Sequence, residues 1–167
     1  MFQMTDFHLN RPSLASNWRA IILFGRNVAS YKFALGSTLL KLASEGRSEV
    51  NVQDLAVPYA RRIADHLKQV DKQSTSRQSR FLDACRKFNT SEISQDQLVS
   101  ETVKRGFNNV IDAFHVVNGD SVSTRFFEDE RVSTKSIKLT DHLLSLASTY
   151  DGSNLDQEVE ARWRLVE

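Results

Sequence analysis

The sequence predicts a mainly α protein, a helical bundle around one long central helix, with a small β-hairpin near residues 122–139. Three observations point there. Apolar residues recur at three-four spacing through Trp18, Ile21, Ile22, Gly25, Val28, Ala29, Phe33, Gly36, Leu39, Leu40 and Ala43, a pattern sustained for about seven turns of 3.6 residues. Only two prolines and six glycines punctuate 167 residues, too few for the many turns of a β-sandwich. Behind the Phe126-Phe127 pair, Ile137 and Leu139 alternate with the period of two that marks a strand.

Residues 1–16 read as an irregular arm, because Arg11-Pro12 disfavours an early helix. Ser16 or Asn17 is the expected N-cap, its short side-chain oxygen accepting from an orphan N–H. The central helix then runs over residues 18–45, with Gly46 as its stop. Leu23, Phe24 and Leu35 lie off the main stripe, so this rod is apolar nearly all round and is expected to be enclosed by other helices. Its middle nevertheless carries Arg26, Asn27, Tyr31 and Lys32. Polar groups withdrawn from water need partners, so these form either a satisfied internal network or a functional surface. Glu49–Val52 reads as a short extended link. Asn51 or Gln53-Asp54 opens a second helix with Leu55, Tyr59, Ile63, Leu67 and Val70 on one side. Pro58 falls early in it, where a missing N–H is tolerated. Residues 72–79 form a polar hinge, and the next helix, through Arg80–Phe88, is expected to start ahead of Arg80.

Ser94 with Gln97 three residues on has the form of a capping box. The helix it opens meets Gly106, and Phe107–Phe114 reads as another short helix before a turn at Asn118-Gly119-Asp120. After the hairpin, Thr140-Asp141 restarts a helix. Ser153 or Asn154 caps a last one, bearing Leu155, Val159, Trp163 and Val166. That helix reaches Glu167 in mid-pattern, with Trp163 needing a cover. The expected organisation is therefore an arm at 1–16, a helical domain with hairpin at 17–152, and a terminal helix at 153–167 leading into a further C-terminal module.

Cys85 is the lone cysteine, so an internal disulfide and a thiolate zinc site are both excluded, and its apolar neighbours make it a packed core thiol. The N-terminus lacks a basic stretch followed by an apolar one, and the longest apolar run, Ala20 to Gly25, is far too short to span a bilayer. The expectation is a cytoplasmic protein with no membrane partner. His8, His66, His115 and His142 are scattered without metal-ligand spacing, and no nucleophile motif or phosphate-binding glycine loop occurs. Glu128 and Glu130 share one strand face and are either a charged hairpin tip or a cation-binding pair. Neither a catalytic residue, a metal ligand nor a cofactor is assigned.

The charge is uneven. Residues 1–90 carry 14 Lys/Arg against 7 Asp/Glu, and residues 91–167 carry 8 against 14. The basic stretch 61–87 reads as a phosphate-facing surface or as a solvated face that pairs with the acidic half. A helix-turn-helix at Leu98–Phe114 is a further possibility, but its reading helix carries no Lys or Arg.

Residues 17–42, NWRAIILFGRNVASYKFALGSTLLKL, resemble the opening helix of a group of bacterial HNH-endonuclease proteins, and EVEARWRLVE at 158–167 resembles the helix leading into their zinc-stabilised nuclease module. The histidine and Cys-x-x-Cys motifs of that module are not in this chain. The resemblance therefore implies the accessory part of a restriction or phage-defence nuclease, engaging DNA or regulating the enzyme. The nucleic-acid contacts expected on this reading are Arg26, Asn27, Lys32, Arg61, Arg62, Lys68, Arg77 and Arg80. The alternative is a protein-interaction or oligomerisation domain, with the basic half of one copy meeting the acidic half of another.

Overall fold

The stretch predicted as one central rod forms two helices lying side by side. The protein is described by a computed structural model over residues 13–25, 30–73, 79–149 and 152–167. It is mainly helical, with a small antiparallel sheet. The helices are α1 (Leu14–Phe24), α2 (Tyr31–Ser44), α3 (Val52–Gln69), α4 (Arg80–Asn89), α5 (Gln95–Glu101), α6 (Val110–Ala113), α7 (Arg131–Thr134), α8 (Asp141–Ser148) and α9 (Gly152–Val166).

α1 ends where Gly25 turns extended, at φ −65° and ψ 155°, and bridges to Val117. On a continuous helix Ile22 and Gly36 would stand about 21 Å apart, at 1.5 Å per residue. Instead a Cβ built on Gly36 would lie 3.2 Å from Ile22 Cδ1 and 3.3 Å from Trp18 Cζ2. The bare glycine is what lets α1 and α2 touch. The apolar period ran through the break because both helices bury one side, and periodicity records burial without recording continuity. The second half of the rod is the true centre. Every residue of α2 from Lys32 to Leu40 is buried, and α1, α3, α6, α8 and α9 pack around it.

Helix starts follow local chemistry. Ser13, not Ser16 or Asn17, caps α1, accepting from the Ser16 N–H at 3.0 Å. The helix therefore opens inside the segment predicted as an arm, whose residues 1–12 lie outside those described. Asn17 instead donates to Thr124 Oγ1 at 2.7 Å. Asn51 caps α3, and Ser79 fixes the start of α4 at Arg80, later than expected. Ser94 and Gln97 form the reciprocal capping box, Thr140 caps α8, and Gly46 takes φ +79° after α2. α9 begins at Gly152, ahead of the predicted caps. A Cβ there would stand 2.5 Å from the Ala147 carbonyl oxygen, so the chain can turn so closely only on a glycine.

The hairpin is present as β4 (Phe127–Glu130) against β5 (Ser136–Leu139), with Phe127 opposite Leu139 and Glu130 opposite Ser136. Two details differ from expectation. Val132 lies in the one-turn α7 that fills the connection. The link at 49–51 becomes a third strand, β1 (Glu49–Asn51), which pairs with β5 and makes it central. A second small hairpin, β2 (Val116–Val117) and β3 (Asp120–Ser121), turns on Asn118 and Gly119, both at positive φ.

The helix-turn-helix does not form. α5 runs straight into a π-helical turn at Thr102–Gly106, and α6 is a single turn whose Val110 and Ile111 are buried with Phe107 and Phe114. A one-turn core element has no length to lay in a groove. Among the described residues, no helix is long and apolar enough to cross a membrane.

Candidate interaction surface

The residues expected to contact nucleic acid do not form one basic stripe. Arg26, Asn27 and Arg77 lie outside the described residues. Arg61 is exposed on α3, donates to Gln95 Oε1 at 3.1 Å and sits over the Phe88 ring. Lys68 pairs with Asp65 at 3.5 Å. On a helix, residues three and four apart share a face, so Arg61, Asp65 and Lys68 alternate in sign along the outside of α3. Arg62 is half-buried beside them. Arg80 lines an open cleft of about 580 Å³ between α4 and α5, where Lys87 and Arg105 are balanced by Asp83, Asp96 and Glu101. Arg86 is held by Asp71 and Asp83, at 2.8 Å each. The charge count of the linear segment is real, but folding interleaves the cations with carboxylates.

Lys32 is not on the surface at all. It is 4% exposed, and its Nζ donates to the Gly25 carbonyl oxygen at 3.0 Å, with the Phe33 ring 5.2 Å away. Burial, aided by the nearby Arg162 guanidinium, pushes its ammonium down to about 8. Among the described residues no carboxylate pairs with either Lys32 or Arg162. An ammonium withdrawn from water without a counter-ion is uncommon. Here it ties the end of α1 to α2, beside α9.

The surface that the structure does assemble lies between α1 and α9. Arg19 on α1 grips Glu158 on α9 through two bonds, at 2.9 and 3.0 Å. Further along both helices, Gly25 and Arg162 approach the same Lys32, so α1 and α9 run parallel. Between them is an apolar groove of about 290 Å³, with Trp18, Ile22 and Leu23 on one wall and Leu155, Val159 and Leu165 on the other. Two of its lining residues reach solvent: Leu23 is 43% exposed and Leu165 78%.

The sequence held partial signals of this face. Leu23 and Phe24 stood off the main stripe, but they read as evidence of enclosure. Trp163 needed a cover and has one inside the chain, stacking on His66 and Phe33. That leaves Leu165 on the outer side of α9. Elsewhere the chemistry is that of packing. Cys85 is buried, and burial pushes its thiol up to about 12, so it is protonated and inert near neutrality. Glu128 reaches toward Arg125, and Asp129, between the two glutamates, is held by Arg131. Among the described residues no three His, Cys, Asp or Glu side chains converge to hold a metal. No protein-family model matches the chain, and comparison with curated proteins and with solved structures gives no significant match.

Proposed function

We propose that the chain is a non-catalytic interaction domain, which works by holding a partner on the α1–α9 face. The observation that carries this reading is the groove with its two exposed leucines. Single exposed apolar side chains are ordinary, but a contiguous set beside an apolar groove marks a binding surface. Leu23 on α1 and Leu165 on α9, both on the groove and both exposed, form such a set, with Phe24 exposed next to Leu23 in the chain. Photo-cross-linking in the native cell tests it. A benzophenone side chain placed at Leu165 is expected to give discrete adducts, whereas the same group at Val132, still more exposed on α7, gives none. Equal labelling from both positions, or none from position 165, removes the reading.

A second reading keeps the nucleic-acid expectation. It draws support from Arg62, Lys72, Arg80 and Lys87, which meet no carboxylate among the described residues, and from the resemblance to the accessory region of HNH-endonuclease proteins. On that reading the α3–α4 surface contacts phosphates within a restriction or phage-defence nuclease. Affinity for duplex DNA should then fall steeply between about 50 mM and about 200 mM salt. Absence of a gel shift at the lower salt discards it.

A further inference from the structure

We propose that His66 is a proton-operated clasp, fastening the end of α9 to α3 while its ring carries both protons and slackening when one is lost. Glu160, Trp163 and Glu167 follow at three-four spacing and share one face of α9. His66, in α3, meets all three. Its Nε2 lies 3.0 Å from Glu160 Oε2, its Nδ1 meets Glu167 Oε1, and the Trp163 ring lies flat on it, 3.5 Å between centroids. A neutral imidazole has one N–H and one bare nitrogen. Between two carboxylates it would turn a lone pair toward one of them. Only the imidazolium donates to both.

Glu167 fixes which form the fold selects. Its side chain is 6% exposed, and it meets His66 and the Gln73 amide. A carboxylate so far withdrawn from water needs a counter-ion, and among the described residues His66 is the cation that pairs with it. The indole face attracts the same positive charge. The surrounding elements bring Phe33 from α2, Arg62 one turn back on α3, and Asp156 and Arg164 from α9. Asp156 is occupied by Ser37 at 2.6 Å, and Arg164 by Glu160 at 3.1 Å. Loss of the second proton, from Nε2 to water, leaves Nδ1–H on Glu167 and turns a bare nitrogen toward Glu160. α9 then keeps one of its two bonds to the ring. Leu165, two residues from both Trp163 and Glu167, points to the other side of the helix. The inference therefore goes beyond the interaction reading: the clasp sets how firmly the helix bearing Leu165 is held, whatever that face binds.

Nitrogen NMR of the imidazole rings in the whole chain tests this, because it reads the proton on each nitrogen directly. The His66 signals are identified by their loss in His66→Phe. At about pH 7 an ordinary imidazole is mostly neutral, whereas both nitrogens of His66 are expected to be protonated. A bare nitrogen on His66 at that pH overturns the proposal. Glu167→Gln keeps the shape, removes the charge and should let the second proton go. Urea unfolding supplies the second readout. Between about 6.5 and about 8 the unfolded chain gives up this proton first, so the folded state binds more protons and stability falls as pH rises. The unfolding constant should climb at least about fivefold over that interval. Lys32, held down to about 8, acts in the opposite sense only from there upward. His66→Phe keeps a ring against Trp163 and cannot titrate, so its profile should be flat over the same interval. A flat wild-type profile, or a variant that falls as steeply as the wild type, overturns the clasp.

Discussion

Replacing Trp163 by alanine is expected to destabilise the protein by about 3–5 kcal/mol, the range for emptying a buried aromatic site. The indole joins three elements at once. Its ring lies flat on His66, 3.5 Å between centroids and 2° between planes, and stacks on Phe33 at 6.2 Å. Its Nε1–H donates to Gln73 Oε1 at 2.9 Å. Gln73 is itself fully engaged: the same oxygen accepts from the Ser30 hydroxyl, and its amide nitrogen donates to the Val70 carbonyl at 2.9 Å and to Glu167 at 3.2 Å. His66 completes the cluster, with Glu160 at 3.0 Å from one ring nitrogen and Glu167 on the other. Truncation therefore opens a cavity and strands polar groups away from water. Native domains have only about 5–15 kcal/mol in hand, so this single change should leave a marginal fold. Trp163→Phe separates the two contributions. It keeps most of the ring and removes the donor, and should cost about 1–3 kcal/mol. Urea unfolding followed by circular dichroism measures both. A loss below about 1 kcal/mol for the alanine variant would mean that α9 is not docked on α2 and α3 as described.

What the sequence revealed and what it hid divide by the range of the interaction responsible. Asn51, Ser94 with Gln97, Thr140 and Gly46 act on backbone within a turn of themselves, and each was legible as a helix boundary. The apolar wrapping of α2 was legible too, because a helix enclosed by five others must be apolar on most sides. The break at Gly25 was not. Nothing in a periodic pattern distinguishes one long helix from two that fold back and share an interior. For the same reason Leu23 and Phe24 were assigned to the inside: their apolar character belongs to the short, two-sided α1, whose outer side no described helix covers. The sequence leaves Lys32 open between an internal network and a functional surface, and the resemblance alone makes it a nucleic-acid contact. Its burial follows from the position of α9, which arrives over a hundred residues later in the chain. The layout of the basic segment was hidden for a geometric reason, since a count along residues 61–87 cannot see that Asp65 falls between Arg61 and Lys68 on one helical face. Trp163 announced that it needed a cover, but only the fold could name His66.

Acid should weaken this protein through His115 well before its carboxylates are titrated. The imidazole is buried among Phe114, Phe126 and Phe127, and its Nε2 accepts from the Phe126 backbone N–H at 2.9 Å. An accepting nitrogen is unprotonated, so the proton sits on Nδ1, which has no hydrogen-bond partner among the described residues. A second proton would break the Phe126 bond and place a charge in an aromatic pocket. Burial, with a smaller contribution from Arg125, accordingly pushes the group from its ordinary 6.5 down to about 3. The unfolded chain takes up this proton near 6.5 and the folded one does not until about 3. Throughout that window the unfolded state binds more protons, so stability falls as pH falls. The accumulated loss is on the order of 3–5 kcal/mol. Asp129 and Glu158, whose carboxyls Arg131 and Arg19 hold below their usual range, add losses of their own. Theirs set in below their ordinary values of 3.8 and 4.5, which leaves the interval from 4.5 to 6.5 to His115 among the shifted groups. His115→Gln keeps an acceptor for the Phe126 N–H and cannot titrate. It should be less stable than wild type at pH 7, by about 1–2 kcal/mol for the lost ring packing, yet show a flatter stability profile across that interval. If the two profiles instead run parallel down to pH 4.5, the proton is being taken up elsewhere and His115 is not the group that makes the fold acid-sensitive.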